Sequence, residues 1–138
     1  MSVHASIQDT PIDPELVRSM VGGDSDGAVA MFVGLVRNHD EGRLVTSLTY
    51  SAHPSATEKL HALAARAVER AGVSDVAAVH RVGDLEVGEV AVVTAVSGPH
   101  RRAVLETNAW LIDSLKAEAP IWKQQHHPDG SSDWVGLP

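Results

Sequence analysis

The chain has 138 residues, of which 43% are hydrophobic and 21% charged; this composition suits one globular domain and excludes a disordered chain. Its formal net charge of −7 argues against non-specific binding to nucleic acid or to an anionic membrane, so any cationic cluster must be local. The absence of cysteine excludes disulfides, thiolate metal sites and a cysteine nucleophile on this chain.

The N-terminal segment is predicted to be an extension of a single domain that spans residues 1–138. It begins MSVHASIQDTPID, which has no basic stretch followed by an apolar one, and no later apolar run approaches the ~20 residues that cross a bilayer. The sequence therefore predicts a cytoplasmic protein without membrane contact. Within the extension, residues 1–26, a short helix is predicted over 13–20, because Asp13 can cap it and Pro14 suits its first position.

Two strands are predicted after this helix. Residues 27–37, GAVAMFVGLVR, form a dense apolar run with β-branched side chains, which is typical of a buried strand. Residues 44–50, LVTSLTY, alternate between apolar and polar and predict a second strand. Because turn-forming residues separate the two, the second strand is predicted to be the hairpin partner of the first.

Two long helices dominate the second half of the chain. Residues 54–72 repeat apolar side chains at the spacing of one buried helix face, and residues 99–119 form a second long helix that Pro120 ends. The remaining predicted strands cover residues 75–83, 89–97, 121–125 and 133–137. The order β-β-α-β-β-α-β-β predicts an α+β fold, with a mainly antiparallel sheet on which the two long helices pack.

Cationic residues collect at a few points of this acidic chain. Arg37 stands where the first strand emerges into a loop, and the run His100, Arg101, Arg102 begins a helix whose free N–H groups favour an anion. Each residue alone is explained by surface solvation. Together they predict a shared anion site.

Lys116 and Lys123 lie seven residues apart on either side of Pro120. On one continuous helix they would be ~10 Å apart along the axis, whereas a break at Pro120 lets the chain fold back and bring the two ammonium groups into one pocket. Mutual repulsion would then lower the pKa of at least one of them. The alternative is a solvated Lys123 and a Lys116 stabilised by the helix dipole.

Metal binding is a weaker hypothesis. His126, His127, Asp129 and Asp133 carry suitable ligand atoms, but adjacent histidines usually point apart and the spacing matches no known ligand pattern. We therefore predict neither a metal nor a cofactor. His80, on a predicted strand, is interpreted as structural rather than catalytic.

Several longer motifs occur in a fixed order: FVGLVRNHD at 32–40, HRVGDLEVGE at 80–89, SGPHRRA at 97–103, LKAEAPIWK at 115–123 and PDGSSDWV at 128–135. In these motifs, and over residues 27–135, the chain resembles the large, catalytic subunits of molybdopterin synthase. The resemblance implies an α/β-hammerhead-like fold and a sulfurtransferase that converts cyclic pyranopterin monophosphate to molybdopterin. It also implies a central homodimer within a heterotetramer, and sulfur delivered by a small ubiquitin-like subunit with a C-terminal Gly-Gly thiocarboxylate.

The resemblance also implies residue roles. Lys116 and Lys123 match the two catalytic lysines of the family, Arg37, His100 and Arg101 match positions that bind the anionic substrate, and Phe32 matches an apolar pocket residue. Three positions depart from the family pattern: Leu35 replaces a frequent lysine, and Gln124 and Gln125 stand where some members have a basic and an acidic residue.

Two other functions fit the residues without the resemblance. A non-enzymatic module that binds a pterin or nucleotide phosphate would bind its ligand without turnover. A purely structural dimer module would not need the basic residues.

Overall fold

Two four-stranded sheets, a two-stranded ribbon and three helices make up the computed structural model, which describes residues 1–135. The elements in chain order are β1 (Ser2–Gln8), α1 (Pro14–Arg18), β2 (Ala28–Leu35), β3 (His39–Asp40), β4 (Arg43–Leu44), β5 (Ser47–Ala52), α2 (Ala56–Val68), β6 (Asp75–Arg81), β7 (Gly83–Glu86), β8 (Val90–Gly98), α3 (Arg101–Glu118), β9 (Ile121–His126) and β10 (Ser132–Val135). None of the helices in this range is long and apolar enough to cross a bilayer.

The first sheet has the strand order β1-β6-β8-β2, and only the β1–β6 pair is parallel. Both faces of its central strands are buried, because side chains alternate between two helical layers. One row packs against α2 and α3 in a core that includes Val76, Ala78, Val92 and Val96. The opposite row packs against α1 in a core that includes Ala77, Val79, Val93 and Ala95.

The second sheet has the order β10-β9-β5-β7 and is antiparallel throughout. A third core, built by Val36, Val45, Leu48, Tyr50, Leu85 and Ala91, lies on this sheet. In the register of β5 and β9, Tyr50 stands opposite Lys123, so these two side chains share a face.

The predicted α+β class and its mainly antiparallel pairing are confirmed, as are both long helices. The predicted hairpin between residues 27–37 and 44–50 is wrong: β2 pairs with β8, whereas β5 lies in the second sheet between β9 and β7. The ribbon β3–β4 occupies the connection and redirects the chain. The sequence assigned no element to residues 2–8, where β1 lies, and the last predicted strand extends to residues 136–137, outside the described range.

A corner at Pro120 joins α3 to β9. Ala119 leaves the helical conformation with φ −72° and ψ 128°, because a residue before proline avoids the α region. The carbonyl of Pro120 then accepts a hydrogen bond from the backbone N–H of His53 at 3.0 Å, which ties the corner to the start of α2. As a result, the chain changes direction between α3 and β9.

Candidate active site

A pocket of about 450 Å³ lies between β2, the end of α3 and the second sheet. We call it the paired-lysine pocket. Its lining side chains are Phe32, Val33, Leu35, Val36, Arg37, His39, Leu48, Tyr50, Ala91, Val92, Lys116, Lys123 and Gln125, together with Gly34. Four of the six site residues suggested by the sequence therefore share one cavity.

Lys116 and Lys123 converge on this pocket, as the break at Pro120 predicts. Lys116 extends from the last turn of α3 and Lys123 from β9, and both also line an adjoining cavity of about 200 Å³. Within residues 1–135 neither lysine forms a salt bridge with a carboxylate, although the chain carries a net charge of −7. Two uncompensated ammonium groups in one pocket favour an anionic ligand.

The environment weakens the basicity of Lys116. Its side chain opens into the solvent of the pocket, but the surrounding walls remove part of its hydration, and this partial burial lowers its pKa. The positive charge of Lys123 lowers the pKa of Lys116 further. Lys116 is therefore better suited to donate a proton, or to act as a base, than an ordinary surface lysine.

Arg37 lies at the rim of the pocket, where its side chain remains 64% exposed. Its guanidinium NH2 contacts Asp40 Oδ1 at 3.2 Å, and Asp40 Oδ2 accepts a hydrogen bond at 3.1 Å from the buried amide of Gln125. Gln125, one of the departures from the family pattern, thus anchors the carboxylate that holds Arg37. An exposed guanidinium held on one side only can still turn towards an incoming phosphate.

The wall formed by β2 is apolar. Phe32 and Leu35 are 37% and 57% exposed on it. Between Phe32 and Leu35 the chain needs glycine, because a Cβ at Gly34 would lie 2.7 Å from Val92 Cγ1. The register shift between Gly34 and Leu35 bends the end of the strand, which directs the following residues towards the rim.

His100 and Arg101 lie elsewhere on the same chain. His100 is the N-cap of α3 and Arg101 its first residue, 15 residues before Lys116, which corresponds to about 22 Å along the helix axis. There they line a separate pocket of about 430 Å³ with Arg102, Leu105 and Glu106. A single chain therefore does not bring His100 and Arg101 together with Arg37 and the two lysines in the shared anion site that the sequence suggested.

The hairpin of β9 and β10 forms one side of the site. Lys123 lies on β9, and Val135 on β10 stands opposite it and lines the smaller cavity. His126 and His127, which carry suitable metal-ligand atoms, instead hold this hairpin in place through hydrogen bonds. His127 Nδ1 donates to the Leu44 carbonyl at 2.8 Å, and its Nε2 contacts Asp133 Oδ2 at 2.8 Å. His126 contacts Thr49 through Nε2 and Ser132 through Nδ1.

We expect this hairpin to loosen at alkaline pH. The hydrogen bond to the Leu44 carbonyl, and then the contact with Asp133, raise the pKa of His127 above its ordinary value of 6.5. The stabilisation is therefore fully present below about pH 6.5 and is lost as the pH rises through the raised pKa. The melting-temperature difference between the wild type and a His127→Gln variant should shrink from pH 6 to pH 9, and a constant difference would contradict this account.

The sequence did not reveal every residue of the site. Tyr50 and Asp40 enter it through the register of β5 and the position of the β3–β4 ribbon, neither of which has a local sequence signal. Burial raises the pKa of the Tyr50 hydroxyl, so this group stays protonated beside Lys123. His80 lines the smaller cavity with both lysines.

The chain is similar in sequence and structure to proteins of known family. Residues 7–118 match the model of the MoaE protein family. The chain is 38% identical to the molybdopterin synthase catalytic subunit of Nostoc sp., over 92% of this chain and 78% of that protein. A crystal structure of molybdopterin synthase from Staphylococcus aureus superposes with a TM-score of 0.89 at 34% identity, covering 96% of each chain.

A more distant structure shares the fold. A Helicobacter pylori complex of subunits 1 and 2 of the molybdopterin-converting factor matches with a TM-score of 0.74 at 21% identity, over 98% of this chain and 89% of that one. The family match covers residues 7–118, and the relatives above match most of the chain. The chain therefore belongs to the MoaE protein family, together with the molybdopterin synthase catalytic subunits.

Proposed function

We propose that the paired-lysine pocket is the active site of a molybdopterin synthase catalytic subunit. The activity follows from family membership: the chain is a sulfur-transferring enzyme of molybdenum cofactor biosynthesis. The observation that carries the assignment to this pocket is the convergence of Lys116 and Lys123, without a carboxylate partner in residues 1–135, beside the exposed guanidinium of Arg37. Cytoplasmic location stays a prediction from the sequence.

The substrate in this proposal is cyclic pyranopterin monophosphate. Arg37 would bind its phosphate at the rim, while Phe32 and the apolar wall of β2 contact the pterin rings. His100 and Arg101 would contribute from a second copy of the chain, because the length of α3 keeps them about 22 Å from Lys116 in their own chain. Leu105, 58% exposed beside them, supplies an apolar contact for such a dimer.

The sulfur must come from outside this chain, because the chain has no cysteine. We propose that a small ubiquitin-like subunit inserts its C-terminal Gly-Gly thiocarboxylate into the pocket, as the distant Helicobacter pylori structure of a two-subunit complex suggests. Lys116 and Lys123 would stabilise the carbonyl oxygen of the tail and the anions that develop as sulfur attacks the pterin side chain. Lys116, with its lowered pKa, is the better placed of the two to transfer protons.

Reconstitution tests this function directly. The purified chain, a thiocarboxylated small subunit and cyclic pyranopterin monophosphate should together yield the dithiolene of molybdopterin, and omission of any one component should abolish the product. The rival binding module predicts that the precursor binds without any dithiolene being formed. Binding measured by calorimetry alongside product formation separates the two.

We expect sulfur transfer to stop when the tail of the small subunit carries one bulky residue after its Gly-Gly end. A glycine tail is narrow enough to enter a confined channel, whereas a tryptophan added to its end would displace the thiocarboxylate from the lysines. The matched control is the same small subunit without the addition, with docking of the two proteins measured separately. Normal turnover with the extended tail would contradict a threaded tail.

A further inference from the structure

His80 occupies an unexpected place in the core. On β6 it continues the row of Val76 and Ala78, which faces α2 and α3, and only 2% of its surface is exposed. An aliphatic side chain at this position would complete the core without burying a polar ring. The row ends at the last turn of α3, and there the His80 ring lines the cavity of about 200 Å³ that Lys116 and Lys123 share.

The protonation of the ring follows from its one hydrogen bond. His80 Nδ1 lies 2.7 Å from the carbonyl oxygen of Arg81, which can only accept, so Nδ1 carries the proton. In a neutral ring Nε2 is then an acceptor. Within residues 1–135 Nε2 has no hydrogen-bond partner. Arg81 Nε is the one side-chain nitrogen or oxygen in this range that is both fully buried and without a partner. His80 Nε2 is therefore not fully buried and opens towards the cavity.

The surroundings keep the ring neutral. Burial lowers the pKa of His80 to about 4, which the bond to Arg81 opposes and the charge of Lys116 reinforces. The charged and titratable groups that line the cavity with it are Lys116, Lys123 and Tyr50, while its strand neighbours Ile7 and Val92 are apolar. The Tyr50 ring meets the imidazole edge-on, with centroids 5.1 Å apart, and fixes its plane.

We propose that His80 is a positioning residue for Lys116: its Nε2 accepts an N–H of the Lys116 side chain through one water molecule, or directly after a rotation of the lysine side chain, and orients the amine towards the paired-lysine pocket. This role rests on the proposed function, because the direction of the Lys116 amine matters only if Lys116 acts in the paired-lysine pocket. A long lysine side chain is otherwise free to rotate, and repulsion from Lys123 would turn it towards bulk solvent. A buried neutral acceptor restrains the amine without neutralising its charge.

Two amide variants, each of which reproduces one ring nitrogen, separate this role from a structural one. In His80→Asn the side-chain amide takes the place of Nδ1, so it keeps a donor for the Arg81 carbonyl but does not reach the cavity. In His80→Gln the amide oxygen reaches the place of Nε2. We expect His80→Asn to lower kcat about ten- to a hundredfold with little change in KM, the range for losing a hydrogen bond to a charged group, and His80→Gln to retain most of the activity.

The pH profile provides a second readout. Loss of the Nε2 acceptor favours the uncharged form of the Lys116 amine and so lowers its pKa. The alkaline limb of the kcat profile should therefore move to lower pH in His80→Asn and remain in place in His80→Gln. His61→Asn, at an exposed position on α2, is the matched control and should leave both kcat and the limb unchanged. A fully active His80→Asn, or equal losses in the two variants with an unmoved limb, would overturn the proposal.

An NMR measurement keeps this test independent of turnover. Long-range ¹H–¹⁵N spectra should show His80 as the neutral tautomer with the proton on Nδ1, and Lys116→Met should shift its Nε2 resonance. If the wild type forms no dithiolene but this resonance shifts, the proposed function fails and the contact between His80 and Lys116 stands. If dithiolene forms, the resonance does not shift and His80→Asn is active, only the role of His80 is refuted.

Discussion

Replacement of either pocket lysine, Lys116→Ala or Lys123→Ala, should reduce turnover about a hundred- to a thousandfold while leaving the melting temperature nearly unchanged. Both ammonium groups face the same pocket and stabilise charge that develops in the transition state, which is where a fixed cation has its largest effect. Neither lysine forms a salt bridge within residues 1–135, so its removal breaks no ion pair there. Removal of one also relieves repulsion on the other.

The measurement is single-turnover formation of dithiolene with saturating small subunit, which separates chemistry from binding. Lys59→Ala, at an exposed position on α2, is the matched control and should keep wild-type rates. Lys116→Arg adds a distinction, because arginine retains the charge but does not give up its proton. If Lys116 transfers a proton, this variant stays slow. An active double variant of Lys116→Ala with Lys123→Ala would refute the lysine site altogether.

Mixed dimers of two inactive variants should recover activity. Lys116→Ala removes a lysine from one end of α3, and Arg101→Glu reverses a charge at the other end, about 22 Å away. If each site takes Lys116 from one chain and Arg101 from the other, both homodimers are inactive, but a mixed dimer holds one site with both defects and one intact site. Random assortment of equal amounts then restores about a quarter of the wild-type sites.

Co-expression with two different affinity tags isolates the mixed dimers, and their activity is compared with each homodimer purified in the same way. Size-exclusion chromatography of Arg101→Glu shows whether its dimer persists, and calorimetry should show that it has lost its affinity for the precursor. No recovery in intact mixed dimers would mean that Arg101 acts within its own chain or not at all. It would thereby refute the proposed site shared between two copies.

Local sequence patterns were sufficient for the elements whose signal lies within a single segment. The periodic apolar residues of α2 and α3 and the apolar runs of β6 and β8 predicted those elements, because burying one face of a helix or both faces of a central strand requires that spacing. The apolar run of β2 also predicted a strand, but not its burial: β2 lies at the edge of the sheet and exposes Phe32, Val33 and Leu35. The break at Pro120 was also predictable, and with it the convergence of Lys116 and Lys123, since proline restricts the residue before it wherever it occurs.

Strand pairing depended on the tertiary structure. The sequence places a turn-rich segment between β2 and β5, which favours a hairpin, yet β2 pairs with β8 and β5 with β9. The pairing of a strand depends on which hydrophobic cores its two faces fill. Alternative pairings compete for these cores, and the competing residues lie far apart in the chain. The strand β1 was missed for the same reason, because it becomes a strand by pairing with β6, more than seventy residues away.

The candidate site shows the same distinction between what the sequence and what the tertiary structure determine. The sequence by itself determined which cations the chain has, that sulfur must come from elsewhere, and that Pro120 lets two lysines meet. Only the tertiary structure decided that Arg37 joins them at the rim, held by Asp40 and Gln125, and that Tyr50 and His80 enclose the cavity beside them. It also decided that α3, as a rigid rod, keeps Arg101 far from Lys116, because a helix of fixed rise per residue separates groups that the sequence alone suggested as neighbours in one anion site.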